Sequence, residues 1–583
     1  MRTRTLVHAL LLAGAAVVSV PASRSAAQAG VPGLTVEPCT LPGVSGPARC
    51  GTLQVWENRT AGSGRRIPLR FVVIPGTGPG PARVALTYLS GGPGTAATSY
   101  AASIVALFAA SREGRDILLV DQRGTGGSHR LNCAAYSRDD VTSYLGAFLP
   151  ADRVRACVPG LQGQADLAHY TTGPVADDLD QVRAALGYER LDLYGGSYGT
   201  RAALVYMRRH PQRVRSAILL GVAPTDASMP LTLPRDTDHA LFGVVADCEA
   251  EAACRAAFPR LRADVGRSLE RFAGGPVQVD VVDPATGRPV RIALTRDLYA
   301  EAVRYLLYTA GSARLVPAMV HQAAAGDFGP IAEAAIERRM NLVDAGSHGV
   351  YLAVTCAEDV PYVPAGEGER LARGTFLGDY RLRDQRAACA AWPRAPIDPG
   401  FRDPVVSDAP TLVLSGQYDP ATPPRFGEQV ARHLAGSLHV VVPSGAHGFA
   451  GMQNSSCVDR LMNDFVRAAS AAALDTACVR TVRRPPFRTE PIETRVARVE
   501  PAELARLAGE YGEGGSTARV TLVDGSLEMV VPQGRWMLAP LSPTRFRVAG
   551  LANLAVEFEV ADGSVRAVRT SSAGVPLATL ARR

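Results

Sequence analysis

A glycine-flanked serine, then an aspartate, then a histidine, in that chain order, are the residues of this sequence best suited to covalent chemistry. The serine stands in Gly195-Gly196-Ser197-Tyr198-Gly199, after an apolar run at 191–194 and before a helical pattern at 200–209. A serine in a sharp strand-to-helix turn is pushed out at the sheet edge, and the glycines avoid clashes there. The N–H groups that open the following helix can hold a developing oxyanion. A hydroxyl is a poor nucleophile without a base. His447, in Ser444-Gly445-Ala446-His447-Gly448, follows a strand-like run at 438–442, so its loop can reach the C-terminal edge of a sheet. His433 falls in a helical pattern and His439 within a strand pattern, and both read as structural. An imidazole needs an acid to fix its tautomer. Asp419, in Gly416-Gln417-Tyr418-Asp419-Pro420, follows the run at 411–414, whereas Asp403 and Asp408 precede that run and sit at its wrong end. The expected triad is Ser197, Asp419 and His447. The oxyanion donors are expected to be the N–H of Tyr198 and one N–H from Gly91 or Gly92, in the turn Ser90-Gly91-Gly92-Pro93-Gly94. Asp121-Gln122-Arg123-Gly124-Thr125-Gly126, after the next run, reads as a glycine-rich turn held by Asp and Arg.

These groups need a scaffold, and the sequence supplies one. Continuous apolar runs at 84–89, 117–120, 191–194, 217–220, 411–414 and 438–442 suit strands buried on both faces. Helical patterns between them predict a mostly parallel sheet covered by helices, opened by an antiparallel pair at 52–57 and 67–74. Residues 225–405 break the rhythm with helical stretches, at 298–307 and 331–343 among others, and a hairpin around 283–289. They are expected to form a cap over the active edge. The core is therefore expected at 30–224 and 406–480, followed by a polar linker at 481–499. Residues 500–583 alternate and carry the turn pairs Asp524-Gly525 and Asp562-Gly563, which predicts a small antiparallel β domain.

Composition narrows the chemistry. All 62 basic residues are arginine, which excludes a lysine Schiff base, a Ser–Lys dyad and a P-loop. Residues 1–29 have the charged start, apolar run and Ala27-Gln28-Ala29 ending of a secretory signal peptide, with a cut expected after Ala29. That segment holds three arginines and no acid, so the net charge of +7 becomes +4 in the mature chain. So small a charge, with no basic run interleaved with aromatics, gives no footing for nucleic acid. The apolar start is short for a bilayer span, and no other stretch is long enough, so no membrane span is expected. An exported chain with ten cysteines and no C-x-x-C pair reads as disulfide-bonded, in the extracellular or periplasmic space. Pairing of sequence neighbours gives Cys39–Cys50, Cys133–Cys157, Cys248–Cys254, Cys356–Cys389 and Cys457–Cys478, although sequence alone does not determine connectivity. The expected chemistry calls for no metal and no cofactor.

Taken together, SGGPG, DQRGTGGS, GGSYG, GQYDPATPP and GAHG resemble the prolyl aminopeptidase and tripeptidyl aminopeptidase group of α/β-hydrolases. The resemblance spans roughly residues 40–480. That group usually carries HGGPG at the first position, and Ser90 replaces the histidine here, as in some exported members. The resemblance implies an α/β-hydrolase fold with a helical cap and removal of single residues or short peptides from free N-termini. It also implies acids under the cap that bind the substrate ammonium. Cys356-Ala357-Glu358-Asp359 resembles an acidic motif of exported members and makes Glu358 the candidate amine binder; the competing reading is a solvated turn acid. An esterase or lipase on the same triad is the alternative activity, and a non-catalytic binding protein is a third reading. Residues 500–583 lie outside the resemblance.

Overall fold

The computed structural model describes residues 31–78, 84–133, 136–137, 140–513, 516–532, 534–572 and 575–583. The expected signal peptide lies outside the described residues. The chain opens with an antiparallel meander of β1 (Leu34–Cys39), β2 (Ala48–Trp56) and β3 (Arg66–Ile74), of which β1 was not expected from the sequence. The apolar runs follow as β4 (Val84–Leu89), β5 (Asp116–Val120), β6 (Arg190–Gly196) and β7 (Val214–Leu220). The cap then contributes the hairpin β8 (Val277–Val282) and β9 (Pro289–Leu294), and the sheet resumes with β10 (Thr411–Gly416) and β11 (Ser437–Val442). The main sheet has the order β1-β2-β3-β5-β4-β6-β7-β10-β11. From β5 to β11 its neighbours are parallel. Every residue of β10 is buried, as a strand covered on both faces requires, whereas β2 alternates.

Residues between β7 and β10 form the largely helical cap, including the helices Met229–Ala250, Arg296–Leu306, Gly329–Ala345, His348–Glu358 and Tyr380–Ala390. They bury their own apolar core around Leu241, Tyr299, Val303, Met319 and Ile336. All five sequence-neighbour cysteine pairs are bonded. Cys356–Cys389 ties two cap helices together.

The polar stretch expected as a linker is strapped to the cap rather than free. Phe487 and Ile492 enter the cap core, and Arg484 pairs with Asp247 at 3.1 Å and Glu251 at 2.7 Å. Beyond it lies an antiparallel sheet of β12 (Gly509–Glu513), β13 (Ser516–Val523), β14 (Ser526–Val531), β15 (Gly534–Pro540), β16 (Arg545–Val548), β17 (Leu551–Ala561), β18 (Ser564–Ser572) and β19 (Val575–Ala581). A bridge between Tyr511 and Arg582 brings its first and last strands together, so the sheet curls almost shut around Tyr511, Phe546, Phe558 and Val568. β12, β15 and β19 escaped the alternation test, because Gly-Glu-Tyr-Gly-Glu, the Pro540 ending of β15 and Pro576 in β19 obscure the period. The buried Arg547 of β16 pairs with the buried Glu333 of the cap helix Gly329–Ala345, and also donates to the Thr494 carbonyl at 2.8 Å.

Candidate active site

The turn between β6 and the helix Tyr198–Arg209 holds Ser197 at φ 56°, ψ −127°, a strained conformation for a residue with a Cβ. The strain is fixed on both sides. The Ser197 N–H donates to the Leu220 carbonyl at 2.9 Å, and the Ser197 carbonyl accepts from the Thr200 N–H at 2.8 Å and its hydroxyl at 2.6 Å. The Ser197 hydroxyl makes no cap bond to its own helix. Gly199 is required by close approach: a Cβ there would lie 1.9 Å from the Leu89 carbonyl oxygen. The helix is thereby pressed against the end of β4.

His447 and Asp419 come from the loops after β11 and β10. The Nδ1 of His447 lies 2.8 Å from Oδ2 of Asp419 and 3.0 Å from Oδ1. Asp419 is fully buried and also accepts from the N–H groups of Ala421 and Thr422 and from the Thr422 hydroxyl, each at 2.8 Å. Burial opposes its charge, yet His447 and these donors hold the carboxyl below its ordinary value. The imidazole is thus oriented by an ionised group with its other nitrogen turned away. Ser197 and His447 line the same cavity of about 400 Å³, a size usual for small-ligand sites.

The loop after β4 reaches this cavity with Gly91 and Gly92. A Cβ built on Gly91 would lie 3.6 Å from the Ser197 hydroxyl, so the backbone there runs beside the serine. Ser90, at the position where the group usually has histidine, donates its hydroxyl to the Thr95 carbonyl at 2.6 Å and closes the loop on itself. The N–H of Tyr198 is the first of its helix and has no acceptor within the helix. Together these groups have the parts of an acyl-transfer site: a hydroxyl at a strained corner, a base held by a buried acid, and backbone donors beside the hydroxyl.

The other sequence-singled residues fall as follows. Arg123 is buried and holds Asp178 with two bonds of 2.7 Å, and Asp121 accepts from Thr98 and Gly127, so that turn is structural. His439 bonds to Ser415 at 3.0 Å inside the sheet, and His433 is exposed in a turn.

Glu358 requires a correction. It is neither a solvated turn acid nor a free carboxylate facing the cavity. It is fully buried and accepts from the Thr172 N–H at 2.7 Å and hydroxyl at 2.8 Å, at the start of the helix Thr172–Ala185. Arg201 lies 3.5 Å from Oε2, the oxygen that also accepts from the Thr172 hydroxyl. The cavity with Ser197 is lined instead by the next residue, Asp359, whose Oδ1 pairs with Arg201 at 3.0 Å. Alternation at a helix end decides which of two adjacent acids turns inward, and the dipeptide alone does not reveal it. Sequence reading also missed Thr422, which lies within bonding reach of both Asp419 and His447, and Tyr308, whose ring packs edge-on to His447 at 4.9 Å. Thr422 had a signal, since an Asp followed by Thr at the third position commonly forms a local side-chain turn. Tyr308 had none.

Burial pushes the Glu358 carboxyl up to about 7, against the pull of Arg201 and Thr172. A folded-state value above the unfolded one of about 4.3 stabilises below that unfolded value, and the contribution is lost as pH rises through about 7. Glu358→Gln should therefore flatten the fall in thermal midpoint between pH 5 and 7 relative to the wild type. Identical slopes in melts of the two proteins would contradict this burial.

The comparisons agree with the geometry. Residues 84–247 match the family model described as alpha/beta hydrolase fold, and residues 375–478 match that described as TAP-like protein. The chain is 28% identical over 479 residues to serine protease Hip1 of Mycobacterium tuberculosis, covering 75% of this chain and 88% of that protein. It is 26% identical over 493 residues to the tripeptidyl aminopeptidase of Streptomyces coelicolor, covering 78% and 88%. It is also 26% identical over 455 residues to carboxylesterase B of Mycobacterium tuberculosis, covering 71% and 82%. The five disulfides fit an extracellular protein, and no helix among the described residues is long and apolar enough to cross a membrane. The chain is a serine hydrolase of the α/β-hydrolase fold and a relative of the tripeptidyl aminopeptidase group.

Proposed function

We propose that this protein is an exported aminopeptidase that releases single residues or short peptides from free N-termini through an acyl-enzyme on Ser197. His447 takes the Ser197 proton as the hydroxyl attacks the scissile carbonyl, and returns it to the leaving amine. Asp419 stays ionised and stabilises the imidazolium. The N–H groups of Tyr198 and of Gly91 or Gly92 stabilise the oxyanion. Water then repeats the sequence on the ester and frees Ser197.

The observation that carries the peptidase reading is an acid under the cap in the same cavity as Ser197. Asp359 lines that cavity with one oxygen committed to Arg201. We assign the ammonium contact to Asp359 and give Glu358 the supporting place behind it. A carboxylate that meets an ammonium away from water makes a strong charge-assisted contact. N-acetylated peptides should then be poorer substrates than free ones, by roughly 10- to 100-fold in kcat/KM. Asp359→Asn should shrink that ratio towards one. Equal turnover of acetylated and free peptides by the wild type would remove the aminopeptidase reading. The 26% identical carboxylesterase supports an esterase on the same triad as the second reading. Aryl esters that outpace every peptide of matched acyl group would put that reading first.

A further inference from the structure

The roof of the Ser197 cavity is cationic. Two arginines there, Arg304 on the helix Arg296–Leu306 and Arg338 on the helix Gly329–Ala345, line the cavity. Arg304 is only 2% exposed. Its Nη1 donates to the Tyr308 hydroxyl at 2.7 Å, and its Nε is buried without a hydrogen-bond partner. Arg338 also has a buried, unpartnered Nε. Both guanidiniums lie over aromatic rings: Arg304 at 4.4 Å from Tyr305 and 5.3 Å from Tyr308, Arg338 at 5.1 Å and 5.5 Å from the same two. Tyr308 in turn packs against His447 at 4.9 Å, so this cluster is one ring away from the proposed base.

The charges nearby do not balance. Glu301 pairs with Arg339 and Arg381 and acts on Arg304 only from beyond ion-pair distance, and Arg381 also donates to the Tyr351 hydroxyl at 3.0 Å. Asp384 pairs with Arg383 at 3.5 Å. Glu337 is the remaining acid, and burial pushes its carboxyl up to about 7 even with Arg338 nearby. Among the described residues no carboxylate lies within ion-pair distance of Arg304 or Arg338. Arg201 and Arg381, the other arginines of the cavity, by contrast each face an acid: Arg201 lies 3.0 Å from Asp359 and 3.5 Å from Glu358, and Arg381 lies 3.4 Å from Glu301. Charge held away from water without a direct ion pair is costly, and the tyrosine faces offset only part of that cost. An entering carboxylate offsets the rest, because the planar guanidinium accepts it through two parallel bonds.

We infer that Arg304 and Arg338 form an anion subsite that selects substrates bearing a carboxylate near the scissile acyl group. The chemistry is the same whether that carboxylate is an acidic side chain or the C-terminus of a short peptide. The inference rests on Ser197 being the nucleophile of this cavity and names the substrate class the cap admits.

The test uses the full exported chain and pairs of substrates that differ in one charge. Glu is exchanged for Gln at each position in turn, a free C-terminus is exchanged for its amide, and the 4-nitrophenyl half-ester of glutaric acid is set against its methyl ester. The charged member of at least one pair should be preferred by roughly 10- to 100-fold in kcat/KM, expressed mainly in KM. The Glu/Gln arm and the acid/amide arm tell the two sources apart. Arg338→Met should shrink the preference, and Arg304→Met should do the same if it melts like the wild type; Arg338 is half-buried and keeps the test open if Arg304→Met does not fold. No charge preference in any pair, or a preference unchanged in a natively melting Arg338→Met protein, overturns the subsite. A charge preference seen in the ester pair when no peptide is cleaved would retain the subsite and reject the peptidase reading.

Discussion

Ser197→Ala is expected to lower kcat by roughly four to six orders of magnitude on any substrate the wild type turns over, while the fold survives. Folding survives because the substitution removes a hydroxyl that makes no cap bond, and leaves intact the Ser197 N–H bond to Leu220 and the carbonyl bonds to Thr200. Chemistry fails because the substitution removes the hydroxyl held at the strained corner beside Gly91. His447→Ala should fall to a similar level, since nucleophile and base act as a unit. Asp419→Asn should fall somewhat less in rate but also lose stability. Its carboxylate is the shared acceptor for Ala421, Thr422 and His447, and an amide cannot accept from all of them. His433→Ala and His439→Ala should retain turnover if stable. Labelling by a fluorophosphonate, with steady-state rates on the folded variants, provides the check. Near-normal turnover in a folded Ser197→Ala protein, or loss in His433→Ala with retention in His447→Ala, would reassign the machinery.

Arg547→Met is expected to destabilise the protein by about 3–5 kcal/mol, because it strands the buried Glu333 carboxylate without its partner. The Val282 N–H, 3.3 Å from Glu333, does not replace a guanidinium. Replacing both partners, in Arg547→Met with Glu333→Leu, should recover most of the loss, since a well-packed apolar pair needs no desolvated charge. Urea unfolding of the two variants measures this. A single variant within about 1 kcal/mol of the wild type would mean that the pair is hydrated and the interface loose. Glu333 lies on the same cap helix as Arg338, so Arg547→Met should also blunt the discrimination between charged and neutral substrates described above. Such a loss would give the C-terminal sheet a mechanical part, that of fixing the helix that roofs the cavity.

Much of this molecule is legible along the chain because its signals are local. Six apolar runs became the six parallel strands, since a strand covered on both faces must be apolar throughout. The serine corner was readable because a strand, a tight turn and a helix meet within a few residues, and the glycines there answer to contacts as close as Leu89 against Gly199. The meeting of Asp419 with His447 at one edge of the sheet was readable because each lies in the loop that leaves its strand. Cysteine neighbours were joined because each pairs with the next along the chain, 6 to 33 residues away. Three-dimensional packing alone decided the rest. It turned Asp359 rather than Glu358 into the cavity, because Thr172 opens a helix some 186 residues earlier and its free N–H claims the Glu358 carboxylate. It placed Tyr308 against His447 and left Arg304 and Arg338 without a carboxylate in ion-pair distance, because those residues meet only when two cap helices pack together. It strapped the apparent linker to the cap through Phe487 and Arg484 and locked the last domain through Arg547, 214 residues from Glu333. A periodic pattern records which face of an element is buried; which distant side chain it is buried against is set only when the elements pack.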